Sequence, residues 1–257
     1  MRPRIQRRRF SLKITQVVFA SACLCVSVVS VAANSRVFIK PDVTRSHRDE
    51  LVNRLRAITG LNELKFDDDG ALRLDGKPLT HGSERARALL AQAVEGANVI
   101  VLEDASGRSD VAFCRVVRGR WVAEQTNKPP AYVVLIDFKD FQQLSGDAEA
   151  RAAFDVGWGL LHEIDHVVNG SEDADDAKEI GECENHINAM RLELGLPTRA
   201  DYFFTNINFK SDPNFNTRFV RLPFESHDEL KTKRYWLVWD ALSVGGLLGG
   251  SQRALVR

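Results

Sequence analysis

The sequence predicts an α+β fold with a short mixed sheet packed on helices. Three observations predict it. Amphipathic segments with helical spacing open the body of the chain, three short β-branched runs follow, and helical spacing returns after Gly146. In order, Leu51, Leu55 and Ile58 mark a helix from Ser46 to Thr59, which Gly60 can stop. Leu64-Lys65-Phe66 and Leu72-Arg73-Leu74 flank Asp67-Asp68-Asp69-Gly70 and read as a small hairpin with a solvated acidic turn. Ser83 caps a helix running to about Val94, with Leu89, Leu90 and Ala93 on its apolar side. The strands are 98–102, 111–117 and 131–137, β-branched runs bounded by Gly, Asn and Pro. Ala150, Phe154, Trp158 and Leu161 then predict one helix to about Val168, stopped by Asn169-Gly170. A second helix runs from about Ala177 to Leu194 and ends at Gly195. The tail from Asp201 onward is aromatic-rich and less regular, and its apolar end is expected to pack on the body.

Composition bounds the function. The chain has 257 residues, 44% apolar and 27% charged, which is enough to bury a sizeable core. Residues 1–33 hold six of the 35 basic residues and no acidic one, leaving 29 basic against 35 acidic in residues 34–257. That mildly acidic body argues against a nucleic-acid partner, because phosphate binding needs a basic face. The first 33 residues read as a signal peptide: a basic stretch to Lys13, an apolar run from Ile14, and small residues at Val31-Ala32-Ala33. Arg7-Arg8-Arg9-Phe10 with Leu12-Lys13 resembles a twin-arginine export signal. The expectation is export to the periplasm or medium, with residues 34–257 as a single domain. The alternatives are a membrane anchor formed by residues 14–33, or lipidation at Cys23 after Ala20-Ser21-Ala22. Beyond that segment only Cys114 and Cys183 remain. They are read either as one disulfide or as two buried thiols, and in neither case as part of the chemistry.

The segment His162-Glu163-Ile164-Asp165-His166 carries the functional reading. Two histidines four apart on a helix present both imidazoles on one side, able to grip one small cation. Glu163 lies one residue round from His162, where a carboxylate can take a proton from a metal-activated water. Leu160-Leu161 and Val167-Val168 give the flanks an apolar character suited to a buried helix. Asp165 departs from zincin-type peptidases, which this segment resembles and which usually carry uncharged residues between the Glu and the second His. It is read either as an anchor accepting a hydrogen bond from an Arg, Tyr or His, or as a solvent-facing residue.

A catalytic zinc site also needs a third protein ligand. Glu184 leads because it falls between Ile180 and Ile187 on the inward stripe of the second helix, where a buried carboxylate needs a partner. Glu182 comes next, with Asp173 and Glu172 behind. Glu172 is ten residues past His162, and His186 is read as a neighbour of the site rather than a ligand.

The HExxH segment resembles the zincin superfamily of metallopeptidases, and a third ligand on a later helix resembles its gluzincin-type members. Glu182-Cys183-Glu184-Asn185, then Arg191 to Pro197, Arg199 and Tyr202, is similar to bacterial effector-type zinc proteases, in which an Asn-containing helix leads into a Gly-x-Pro-x-Arg-x-x-Tyr turn. The likeness spans about 45 residues, from Gly157 to Tyr202. It implies a small zincin-like domain, with an HExxH helix under a mixed sheet and a ligand helix after it. It also implies Zn2+ as cofactor, a protein or peptide substrate, and a sheet edge that binds substrate as an added strand. Tyr132 to Asp137 is the expected edge. Arg199 and Tyr202 are expected to hold the ligand helix in place or to polarise the scissile carbonyl. The expected function is an exported zinc-dependent hydrolase, a metallopeptidase with Glu163 as base. The alternatives are a zinc-stabilised binding protein without turnover, and a secreted effector or toxin protease.

Overall fold

The computed structural model describes residues 35–77, 81–121, 128–177, 179–208, 216–228 and 231–245. The expected leader and its anchor and lipid alternatives lie outside the described residues. In chain order the elements are β1 (Val37–Ile39), α1 (Arg45–Thr59), β2 (Lys65–Phe66), β3 (Leu72–Arg73), α2 (Glu84–Glu95), β4 (Val99–Asp104), β5 (Cys114–Arg118), β6 (Ala131–Ile136) and α3 (Phe138–Gln142). They continue with β7 (Ser145–Gly146), α4 (Ala148–Ala152), α5 (Val156–Asn169), α6 (Glu182–Glu193), β8 (Thr198–Arg199), β9 (Thr205–Asn208), β10 (Asn216–Asp228) and β11 (Lys231–Asp240). The fold is α+β, with a mixed sheet against helices. Among the described residues no helix is long and apolar enough to cross a membrane.

The mixed sheet has the order β1-β4-β6-β5, in which β1, β4 and β6 run parallel and β5 returns antiparallel. Helix α5 packs on α1, α2, β5 and β6. Its stripe of Trp158, Leu161 and Ile164 meets Leu51 and Leu55 of α1, Leu90 of α2 and Val134 and Ile136 of the sheet in one buried cluster. Each such side chain contributes about 1.5–3 kcal/mol on burial, which holds α5 rigidly beneath the sheet. A second cluster joins Leu222 and Phe224 of β10 to Leu237 and Trp239 of β11.

Phe113 links the two clusters. It adopts φ 58°, the only positive φ of a non-glycine among the described residues, and such a conformation costs about 1–2 kcal/mol. Two carboxyl-bearing residues hold it there: the Phe113 amide donates to Asp140 Oδ2 at 3.1 Å, and its carbonyl accepts from the Asp137 amide at 2.7 Å. Its ring packs against Phe141, Phe154 and Trp239. The chain leaves this corner directly into β5.

Four expectations change. The helix expected from Ala150 to Val168 is two helices, because the Asp155 carboxylate accepts from the Gly157 and Trp158 amides and starts α5 afresh. The next helix begins at Glu182, not near Ala177. Gly181 stands before it at φ 83°, where a Cβ would lie 2.5 Å from the Ala174 nitrogen, so the chain at Gly181 folds back against Asp173 and Ala174. The strand at Ala131–Ile136 is interior, between β4 and β5, and among the described residues β5 is the edge on that side and β1 on the other. The residue pattern did not show that Cys114–Arg118 runs back outside it. The tail is regular: β10 and β11 form a long hairpin that recruits β7, β8 and β9 into a five-stranded antiparallel arrangement.

Candidate metal centre

Helix α5 sets the geometry. Its N-terminus is capped by Asp155 and its C-terminus by Gly170 at φ 69°. His162 and His166 therefore sit one turn apart on one side, with ring centroids 4.8 Å apart. His162 Nε2 lies 3.0 Å and His166 Nε2 3.3 Å from the same oxygen of Asp173. Cys183, in the first turn of α6, completes the group: one ligand atom from each of these four residues falls within 4.8 Å of the others.

The outer nitrogens are already used. His166 Nδ1 lies 2.7 Å from the Ser171 carbonyl, and His162 Nδ1 lies 3.4 Å from Glu184 Oε2. An acceptor at each Nδ1 suits a proton kept there, so that each Nε2 would be the ligand atom once an ion displaced the proton it shares with Asp173. Two imidazoles, a carboxylate and a thiol also form a donor set suited to a borderline-soft divalent ion. His162, His166, Asp173 and Cys183 can hold a metal ion.

The electrostatics follow from this crowding. Burial works against a charged His162, but hydrogen bonds with Asp173, Cys183 and Glu184 outweigh it and raise its pKa well above the ordinary range. The Asp173 and Cys183 partners push His166 up to about 11. Burial opposes ionisation of Asp173, yet the two imidazoles hold its carboxyl far below the usual range. Burial also raises Glu163, against the pull of His162 and His166. Glu163 is 8% exposed and accepts a hydrogen bond from the Val116 amide of edge strand β5 at 2.7 Å. Among the described residues no strand pairs with the outer side of β5.

Glu184 stands apart from the ligand group. Its carboxylate is 1% exposed and is shared between Arg191, through Oε1, and Arg199 Nη1 at 3.0 Å. Burial raises its pKa, but the two guanidiniums outweigh that and hold it well below the usual range. It faces the outer nitrogen of His162 at 3.4 Å and is not one of the four residues that can hold an ion. Glu182 and Glu172 are exposed and outside the ligand group.

The remaining expected residues support the site from around it. Asp165 is fully buried and accepts from Asn169 Nδ2 at 2.6 Å and pairs with His186 Nδ1 at 2.9 Å. His186 also lies 3.3 Å from Ser171 Oγ, on the residue whose carbonyl holds His166. Arg199 is fixed to α6 through Glu184 and through Asn188, and its guanidinium covers Tyr202 at 4.6 Å. The Tyr202 hydroxyl hydrogen-bonds Asp173. A cavity of about 270 Å³ opens beside His162 and Glu163, walled by Phe113, Phe154, Phe204 and Trp239.

One member of the group, Cys183, escaped the sequence reading, and another, Asp173, ranked low in it. Asp173 was read in its loop and ranked behind Glu184 and Glu182, because a position on a helix's inward stripe favoured Glu184. Cys183 was set aside because it fits no CxxC pattern, and no disulfide joins it to Cys114. Cys114 packs against Gly159 and Cys183 against the His162 carbonyl. The signal for Cys183 was present: it lies four residues before Ile187, on the same inward stripe that selected Glu184. Compared with protein-family models, curated proteins and solved structures, the chain gives no match.

Proposed function

We propose that this protein is a zinc-dependent hydrolase that cleaves peptide bonds. The observation that carries the reading is the convergence of His162 Nε2 and His166 Nε2 on one point, with the Glu163 carboxylate buried beside them and bonded to a sheet edge. Bound zinc supplies a Lewis acid and a water that ionises near neutral pH. Glu163 would act as the general base, accepting a proton from an attacking water and returning it to the leaving amine. Among the described residues no strand pairs with the outer side of β5, so apart from the Val116 amide, which Glu163 holds, its backbone would offer donors and acceptors to an extended peptide, and the aromatic cavity would receive one of its side chains. Arg199 and Tyr202 fix the helix and loop that carry Cys183 and Asp173, which supports a structural role for both.

The test is the Glu163→Gln variant. It keeps its metal and loses at least about a hundredfold in cleavage of an unstructured protein such as casein. Full activity in that variant sinks the proposal. A second reading, a zinc-stabilised protein without turnover, is favoured by one observation: the group offers four protein donors, the number that closes a structural site.

A further inference from the structure

Four donors are one more than a hydrolytic centre can keep, so the roles within the group decide what the site does. We propose that Cys183 is a permanent ligand and Asp173 the exchangeable one, which leaves to admit solvent or a carbonyl oxygen. This rests on the metal-hydrolase reading above.

The two residues differ in access and in anchorage. Cys183 is fully buried in the first turn of α6, with its amide bonded to the Glu172 carbonyl at 3.2 Å and its thiol to the His162 carbonyl at 3.3 Å. That helix is locked by the buried Arg191, which donates to the Ala153 carbonyl and to Glu184. Nothing from solvent can reach the sulfur without unpacking the helix. Asp173 sits on the loop between Gly170 and Gly181, and its side chain is 44% exposed, against 12% for His162 and 17% for His166. Solvent therefore approaches the centre from the Asp173 side. Tyr202 gives the carboxylate a partner outside the centre, a place to stay when it withdraws.

Charge supports the same assignment. With both Asp173 and a Cys183 thiolate bound, a divalent ion is neutralised and polarises a carbonyl weakly. When Asp173 withdraws, one positive charge returns at the moment the position opens. The exchange breaks one metal–carboxylate bond and forms one bond to an incoming oxygen, with no electron transferred.

Cobalt(II) reconstitution of the chelator-treated full chain tests this without relying on turnover. Wild type and Asp173→Ala should each bind one cobalt per chain and show a near-ultraviolet thiolate-to-cobalt band, and Cys183→Ser should lose the band. Acetohydroxamate should perturb the visible spectrum of Asp173→Ala at about tenfold lower concentration than in wild type. Asp173→Asn, which keeps the side-chain shape, should behave as Asp173→Ala does and covers the case in which the alanine variant misfolds. Absence of the band in wild type, or hydroxamate sensitivity unchanged by either Asp173 variant, overturns the assignment while leaving the hydrolase reading intact. Wild type that binds no cobalt, or His162→Ala that binds it equally well, overturns the metal reading itself.

Discussion

Two carboxylates flank His162, and the protein treats them in opposite ways. Asp173 meets Nε2 from an open loop, half in water. Glu184 meets Nδ1 from inside a helix, sealed between two arginines. Both are acidic residues near one imidazole, yet one is placed to exchange and the other to stay. What differs is the surrounding chemistry. A buried carboxylate between guanidiniums has its hydrogen-bonding capacity spent, and removing it strands two positive charges. A loop carboxylate facing two imidazoles has little else to lose.

The largest expected effect breaks the comparison on the Glu184 side. Glu184→Ala should lower unfolding stability by about 3–5 kcal/mol in urea titration, because Arg191 and Arg199 are left uncompensated. Asp173→Ala should cost chelator-treated protein far less in the same measurement. Equal losses, or a Glu184 variant of normal stability, would erase the distinction.

The next effect is on metal affinity through the opposite imidazole. His186→Ala removes the partner of Asp165 and Ser171, and with it the support for the carbonyl that orients His166. Metal affinity should fall about 10–100-fold in chelator competition. His186→Asn, which can place an amide nitrogen near the former Nδ1, should recover part of it. Wild-type affinity in His186→Ala would show that the Ser171 carbonyl stands without this support.

A smaller effect concerns pH, and its sign is opposite with and without metal. In chelator-treated protein the raised imidazole pKa values stabilise the fold fully below the ordinary value of 6.5, and this is lost as pH rises toward about 11. Asp173 and Glu184 are lowered, so their share is complete above 3.8 and 4.5 and is lost on acidification. The cluster thus favours the chelator-treated fold most between about pH 4.5 and 6.5. Metal binding must expel the imidazole protons, so zinc-loaded protein should gain stability from pH 6 to 8 as chelator-treated protein loses it. Melting curves across that range should cross or diverge. Parallel curves would mean that the histidines do not release protons to the metal.

The same contrast explains what could be read in the residues alone. Helix α5 was legible because its signals are local: an apolar stripe, a His pair at one-turn spacing, and Asn169-Gly170 at its end. The parallel and antiparallel neighbours of the strands were not, since β5 and β6 both read as short apolar runs and only tertiary pairing makes β5 the edge. Glu184 was correctly placed on an inward stripe, but burial alone does not say whether a carboxylate meets a metal or an arginine. Arg191 and Arg199, seven and fifteen residues away, decide it. Asp173 was a candidate but ranked low, because only the loop between Gly170 and Gly181 brings it back to His162, eleven residues earlier in the chain. The β10–β11 hairpin was hidden by residues such as Arg221 and Trp236, which pair across the strands instead of alternating cleanly with apolar ones.

Metal analysis of purified protein, beside His162→Ala, Glu163→Gln, Glu182→Ala and Glu184→Gln, tests the central claim most directly. One zinc ion per chain is expected in wild type, Glu163→Gln, Glu182→Ala and Glu184→Gln, with loss in His162→Ala. Zinc absent from wild type, or retained in full without His162, would contradict it.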